Sequence, residues 1–189
     1  MLLVLSTLTF PGCSKEEGAR FEYLFTSVNG IQCYSVQKCY FGNDYEIVIP
    51  TQWKGLPVLS IGEEAFLPSG SIMYVDCSEV KVIQPRAFLA CQYLREINLR
   101  NVQVIGDFAF DCCYALENVV IPESVTEIGN GAFDDCRSLI EVYFKGDPTI
   151  LGEDIFALNV ALYGMPGGNV EQYAKENGLS FCDIALADQ

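Results

Sequence analysis

Nine cysteines are the first residues of this 189-residue chain that could do chemistry. Cys91, Cys113 and Cys136 recur at 22 and 23 residues, so a coiling chain would bring them one above another. A column of thiolates can bind zinc, but structural zinc sites use four ligands with close pairs such as C-x-x-C. No C-x-x-C occurs, and there is no histidine. His-ligated metal and the Ser-His and Cys-His nucleophile pairs are therefore excluded. Cys77, Cys91, Cys113 and Cys136 are read as small buried packing residues. Cys112 is expected to face outward as the more reactive thiol. Cys33 and Cys39 lie close enough to bridge, or to pack reduced.

Adjacent acids at Glu16-Glu17, Glu63-Glu64 and Asp134-Asp135 suggest calcium or acid–base work. Calcium needs six or more converging oxygens, so these pairs read as solvated surface. Gly164 to Gly168 precedes a helical pattern, a place where phosphate can sit. The segment lacks the Lys-Ser/Thr ending of a P-loop, so it reads as a turn. With 25 acidic against 11 basic residues and a net charge of −14, the chain is a poor binder of nucleic acid and of anionic lipid. No cofactor or metal is implied. No catalytic constellation is present, and a hydrolase is only a remote alternative.

The elements that position these residues come from a repeat. V102-Q-V-I-G-D-F-A-F-D-C-C-Y-A-L-E-N-V-V-I-P122 is followed by V125-T-E-I-G-N-G-A-F-D-D-C-R-S-L-I-E-V-Y-F144. Aligned on Ile61, Ile83, Ile105, Ile128 and Leu151, the spacings are 22, 22, 23 and 23. Phe66, Phe88, Phe110, Phe133 and Phe156 follow five residues later, and Ala65, Ala87, Ala109 and Ala132 precede the first four. Next come Ser69, Cys91, Cys113 and Cys136, then Ile72, Leu94, Leu116 and Leu139. Spacings of one, three and three suit a helical or 3₁₀ turn with one buried face. Alternation at Val75/Cys77, Ile97/Leu99, Val119/Ile121 and Val142/Phe144 suits a strand. One coil cannot bury its own Ile, Phe and Leu, so the core must form between stacked coils.

Over about residues 45 to 166 these units resemble the BspA-type leucine-rich repeats of bacterial surface proteins, I-G-x-x-A-F-x-x-C-x-x-L-x-x-I-x-I-P. The resemblance implies a short right-handed leucine-rich-repeat solenoid with a β-rich N-terminal cap and a β/α C-terminal cap. It also implies a non-enzymatic cell-surface protein that adheres to proteins of a host or a neighbouring cell.

The ends fit that layout. Residues 1–20 form a signal- or lipoprotein-like segment and tether. The apolar run LLVLSTLTF and Gly12-Cys13 before a polar stretch resemble a lipobox, which implies lipidation of Cys13 and an outer-membrane or cell-surface location, or else secretion. Residues 21–57 are the N-terminal β cap, with two strands turning at Asn29-Gly30. Residues 58–147 are the repeats. Residues 148–189 hold a degenerate last coil and the C-terminal cap. There Asn169 and Gln172 have capping-box spacing, Gly178 is placed to end the helix, and residues 179–184 form a last strand.

The strands of successive coils are expected to make one sheet whose alternate residues face solvent. That outward set is Tyr74, Asp76, Glu96, Asn98, Arg100, Asn118, Val120, Glu141, Tyr143 and Lys145. It mixes aromatics, amides and both charges, as recognition surfaces do. A protein partner is the first expectation. A surface lipoprotein that recognises glycans or supports nutrient uptake is the alternative, favoured if Tyr74 and Tyr143 form a platform. The expected effect of Cys13→Ala is to move the protein from the membrane to the soluble fraction. Unchanged partitioning in a cell fractionation would rule lipidation out.

Overall fold

In the computed structural model, residues 19–40, 42, 44–67 and 70–186 are described. Cys13, its apolar run and most of its tether lie outside the described residues, as does Ser69.

Each coil has two strand sides and a turn side. On one side, β1 (Arg20–Val28) and β2 (Ile31–Tyr40) form an antiparallel hairpin. Asn29 and Gly30 turn it with φ of 51° and 78°, the left-handed pair that a two-residue hairpin needs. β2 then pairs in parallel with β5 (Leu56–Ile61). The sheet runs on through β7 (Val82–Ile83), β9 (Val104–Ile105), β11 (Glu127–Ile128) and β13 (Ile150–Leu151), with β4 (Gln52–Trp53) set against β5. The N-terminal cap is thus a continuation of the repeat's own hydrogen bonding. Tyr23 stacks on Trp53 at 4.7 Å over its apolar side.

The second side is split. β3 (Glu46–Val48), β6 (Tyr74–Asp76) and β8 (Glu96–Asn98) form a three-stranded sheet. β10 (Asn118–Ile121), β12 (Glu141–Phe144), β14 (Ala161–Gly164) and β15 (Ser180–Asp183) form a four-stranded one. The single sheet expected from the repeat is therefore two. Coil length also changes nearby. Val75 to Val80 and Ile97 to Val102 are five residues apart, whereas Val119 to Val125 is six. The extra residue falls at the Pro122 turn, after β10, and β10 and β12 are four residues long.

The turn side carries the Ala-Phe-Cys-Leu segment. It takes the tighter of the expected conformations, single i→i+3 turns such as Cys91 N–H to Phe88 C=O and Leu94 N–H to Cys91 C=O. No longer helix forms because residues in the left-handed region interrupt it. One such column is Glu64, Arg86, Phe108, Gly131 and Asp154, and a second is Ala90, Cys112 and Asp135. The bends leave backbone groups pointing along the stack. Phe66, Phe88 and Phe110 donate their N–H groups to Ala87, Ala109 and Ala132 of the next coil, and Phe133 donates to Ile155.

Inside, like residues stack. Phe66, Phe88, Phe110 and Phe133 are fully buried and Phe156 nearly so. Neighbouring ring centroids are 4.5, 5.1, 5.0 and 5.5 Å apart, with interplanar angles of 28°, 5°, 9° and 12°. Gly129 is required by the same closeness, since a Cβ there would lie 2.5 Å from the Asp107 nitrogen of the preceding coil.

The far end is sealed by α1 (Asn169–Glu176), which buries Val170, Tyr173 and Ala174. The Tyr173 ring meets Phe156 edge-on at 6.3 Å, and its hydroxyl accepts the Ile155 N–H at 2.9 Å. The helix start differs from the capping box expected at Asn169. Gly168 is the N-cap, and the Asp147 carboxylate accepts the N–H groups of Asn169 and Val170 at 3.0 and 3.1 Å. A carboxylate from the previous coil thus satisfies orphan donors and the helix dipole together. Gly178 at φ 68° ends the helix, with Leu179 N–H bonded to Ala174 C=O, the six-to-one bond of a Schellman motif. Phe110→Ala is expected to cost about 3–5 kcal/mol in denaturant unfolding, against under about 0.5 kcal/mol for the exposed Tyr93→Ala. A Phe110→Ala loss below about 1 kcal/mol would misplace the repeat's phase.

Candidate functional site

The cysteine column is interior. Cys77, Cys91, Cys113 and Cys136 are at most 1% exposed, and all four are free thiols. Burial pushes the Cys136 thiol up to about 12 and raises Cys113 well above its ordinary value. These groups therefore stay protonated. Cys113 and Cys136 donate to the Phe88 and Phe110 carbonyls at 3.3 and 3.2 Å, so the column serves the turns. Cys33 and Cys39 are likewise free and buried.

Cys112 is half-buried rather than fully outward, and its thiol lies 3.9 Å from Asp135. Partial burial and then the neighbouring Asp111 push its thiol up. Thiolate is the reactive form, so this environment lowers its reactivity, though Cys112 stays more accessible than the buried Cys113 and Cys136. Arg137 pairs with Asp135 at 2.9 Å and covers the Tyr114 ring at 4.4 Å. Among the described residues, no three ligating groups converge as a metal site would require.

The strand side carries the surface that the repeat does not dictate. Its inward positions repeat as Val75, Ile97, Val119, Val142 and Leu162, all buried. Its outward positions form four rows. Glu46, Tyr74 and Glu96 make one, and Val48, Asp76 and Asn98 the next. Beyond the split lie Asn118, Glu141, Ala161 and Ser180, then Val120, Tyr143, Tyr163 and Cys182. Arg100 and Lys145 follow β8 and β12 and are exposed.

Several of these side chains already have internal duties. The Asp76 carboxylate accepts the Ser78 N–H at 2.8 Å, and the Asn98 amide oxygen accepts the Arg100 N–H at 3.2 Å. These are the local turns that Asp and Asn favour. Glu141 accepts the Tyr143 hydroxyl at 2.8 Å and the Tyr163 hydroxyl at 3.2 Å. The two tyrosine rings stack at 4.6 Å and 15°. Tyr74 and Tyr143 lie in different sheets and share no platform, and the stacked pair turns ring faces toward each other.

Tyr163 was not separable in the sequence. The fifth coil lacks the Cys and Leu markers that fix phase, and Tyr163 follows Tyr143 by 20 residues rather than 22 or 23. Its hydrogen bond to the Glu141 carboxylate, and then that carboxylate's charge, hold the phenol above its ordinary value.

Parallel coils of 22 to 23 residues, with a strand, a turn and a stacked aromatic column in each, define a leucine-rich-repeat solenoid. The chain belongs to the BspA type leucine rich repeat family, which matches residues 58–165 in six copies. No curated protein matches its sequence. Among solved structures it is similar to a leucine rich cell surface protein from Faecalibacterium prausnitzii, at 24% identity and a TM-score of 0.59, covering 82% of this chain and 45% of that one. It is also similar to the T. pallidum leucine rich repeat protein, at 24% identity and a TM-score of 0.52, covering 86% of this chain and 95% of that one. A leucine-rich repeat protein from Bacteroides capillosus shares 27% identity with a TM-score of 0.55, covering 66% and 94%. The chain thus spans under half of the Faecalibacterium protein and nearly all of the other two.

Glu141→Gln is expected to lower the Tyr163 pKa toward the ordinary tyrosine value, followed by tyrosinate absorbance. The sign follows from linkage. A phenol raised on folding stabilises the protein below its unfolded pKa, and that contribution is lost as pH climbs through the folded value. An unchanged titration in the variant would remove Glu141 as the cause.

Proposed function

We propose that this is a non-enzymatic cell-surface protein that adheres to a protein on a host or neighbouring cell through its strand face. The reading is carried by one contrast. Inward strand residues repeat from coil to coil, while the outward ones vary along each row except at the Tyr143–Tyr163 step. The fold dictates the first set and leaves the second free for recognition. Glu141 and the Tyr143–Tyr163 stack hold aromatic groups in place before binding, which lowers the entropy lost on docking. A protein partner suits this face better than a glycan, since sugars stack on open ring faces and this pair spends faces on each other. A lipid on Cys13 would tether the solenoid to the membrane, in keeping with the polar segment that follows it.

The test is surface display on a non-adherent bacterium, with attachment to cultured host cells and to neighbouring bacterial species counted. Tyr74→Ala/Glu96→Ala/Val120→Ala on the strand face is expected to reduce attachment about tenfold or more, as loss of central contacts does. Glu63→Ala/Tyr93→Ala, away from that face, should leave attachment unchanged. The reverse pattern would assign adhesion to the turn side.

A further inference from the structure

Two cations on the strand face border the same depression. Arg100 follows β8 and Lys145 follows β12, and Pro122 follows β10 at the equivalent place in the coil between them. Together with Val120, Glu123 and Ser124 they line one shallow groove. The groove sits on the seam between the two strand sheets.

Its chemistry is narrow. The floor is aliphatic, with Val120 51% exposed and Pro122 offering no N–H. The Ser124 hydroxyl is occupied, donating to the Val102 carbonyl at 2.6 Å. The Asn98 amide oxygen holds the Arg100 N–H, fixing the backbone from which the guanidinium extends. Four cations elsewhere are matched: Arg86 to Glu63, Arg137 to Asp135, and Arg20 and Lys38 over the Tyr40 ring. Among the described residues, neither Arg100 nor Lys145 has a carboxylate within 4.0 Å. Two coils separate them, about 10 Å at one strand spacing per coil, on a protein of net charge −14.

We propose that this groove docks an extended acidic segment of a partner protein, with an aliphatic side chain on Val120 and Pro122 and a carboxylate on each of Arg100 and Lys145. Alternate residues of a strand share a face, so acidic residues flanking the aliphatic one at two positions on either side lie about 13 Å apart. The long Arg and Lys side chains reach outward to meet them. Glu123 at the border weakens the pull on one carboxylate alone, so both cations are needed. A glycan finds no open ring face here and no free array of donors and acceptors. The assignment rests on the strand face being the protein-binding surface and names the chemistry of what it binds.

The probes are two blocked peptides, Glu-Ser-Val-Ser-Glu and its counterpart Gln-Ser-Val-Ser-Gln, added to the ¹⁵N-labelled full chain. The acidic peptide is expected to shift the amides of Arg100, Val120, Ser124 and Lys145 saturably, with the Gln peptide at least about tenfold weaker, as charge steering and pairing require. Added salt should weaken the acidic peptide. Arg100→Gln/Lys145→Gln should abolish the response with the remaining amide signals in place, and Arg100→Lys/Lys145→Arg should keep it. Equal response to both peptides, no response to either, or undiminished binding by the Gln variant overturns the proposal. So does tighter binding of an oligomer of galacturonic acid, which would give the groove to an anionic glycan. Attachment that depends on the strand face while the acidic peptide is ignored discards the acidic segment and leaves the adhesive face standing. Failure of both experiments removes both.

Discussion

Every coil of this protein must sit one strand spacing from the next, and most other features answer to that distance. Strand ladders impose about 4.8 Å, and the phenylalanine rings keep to 4.5–5.5 Å along the column. Flat rings tolerate such a separation when they lie nearly parallel and offset. The close approach explains Gly129, which has no room for a Cβ. It also brings the Cys113 and Cys136 thiols against carbonyls of the preceding coil. Core and backbone bonding are two expressions of one translation along the stack.

The columns were legible in the sequence because each is a residue type at a fixed interval. Phe66 to Phe133, Ala65 to Ala132 and Cys91 to Cys136 announce themselves without any knowledge of shape. Asn29-Gly30 and Gly178 were legible too, since their local backbone needs are strong. What could not be read depends on contacts one coil away. Asp147 caps α1 from 22 residues upstream of Asn169, while the local spacing pointed to Asn169 itself. The Glu141–Tyr163 bond likewise spans 22 residues in a coil whose markers have decayed. Burial on the strand face was readable as alternation. The commitment of Asp76 and Asn98 to their own turns was not.

The two ends solve one problem differently. At the N-terminal end the hairpin of β1 and β2 extends a sheet the coils already make, so its backbone is satisfied on one side by the repeat itself. At the C-terminal end a helix turns across the stack, and Tyr173 joins ring packing to a backbone hydrogen bond in one side chain. Both caps keep the apolar column from water, as a finite stack requires.

The change from 22- to 23-residue coils also bears on how such a chain lengthens. Solenoids grow when a segment coding for one coil is duplicated in tandem. A copy of a 22-residue unit inserted among its own kind preserves strand pairing on both neighbours, as does a 23-residue copy within its block. The two lengths meet beside Pro122, and there β9 still pairs with β11 and β10 with β12. A coil of either length keeps its ladder partners, so one added residue at a turn is absorbed without loss of the core.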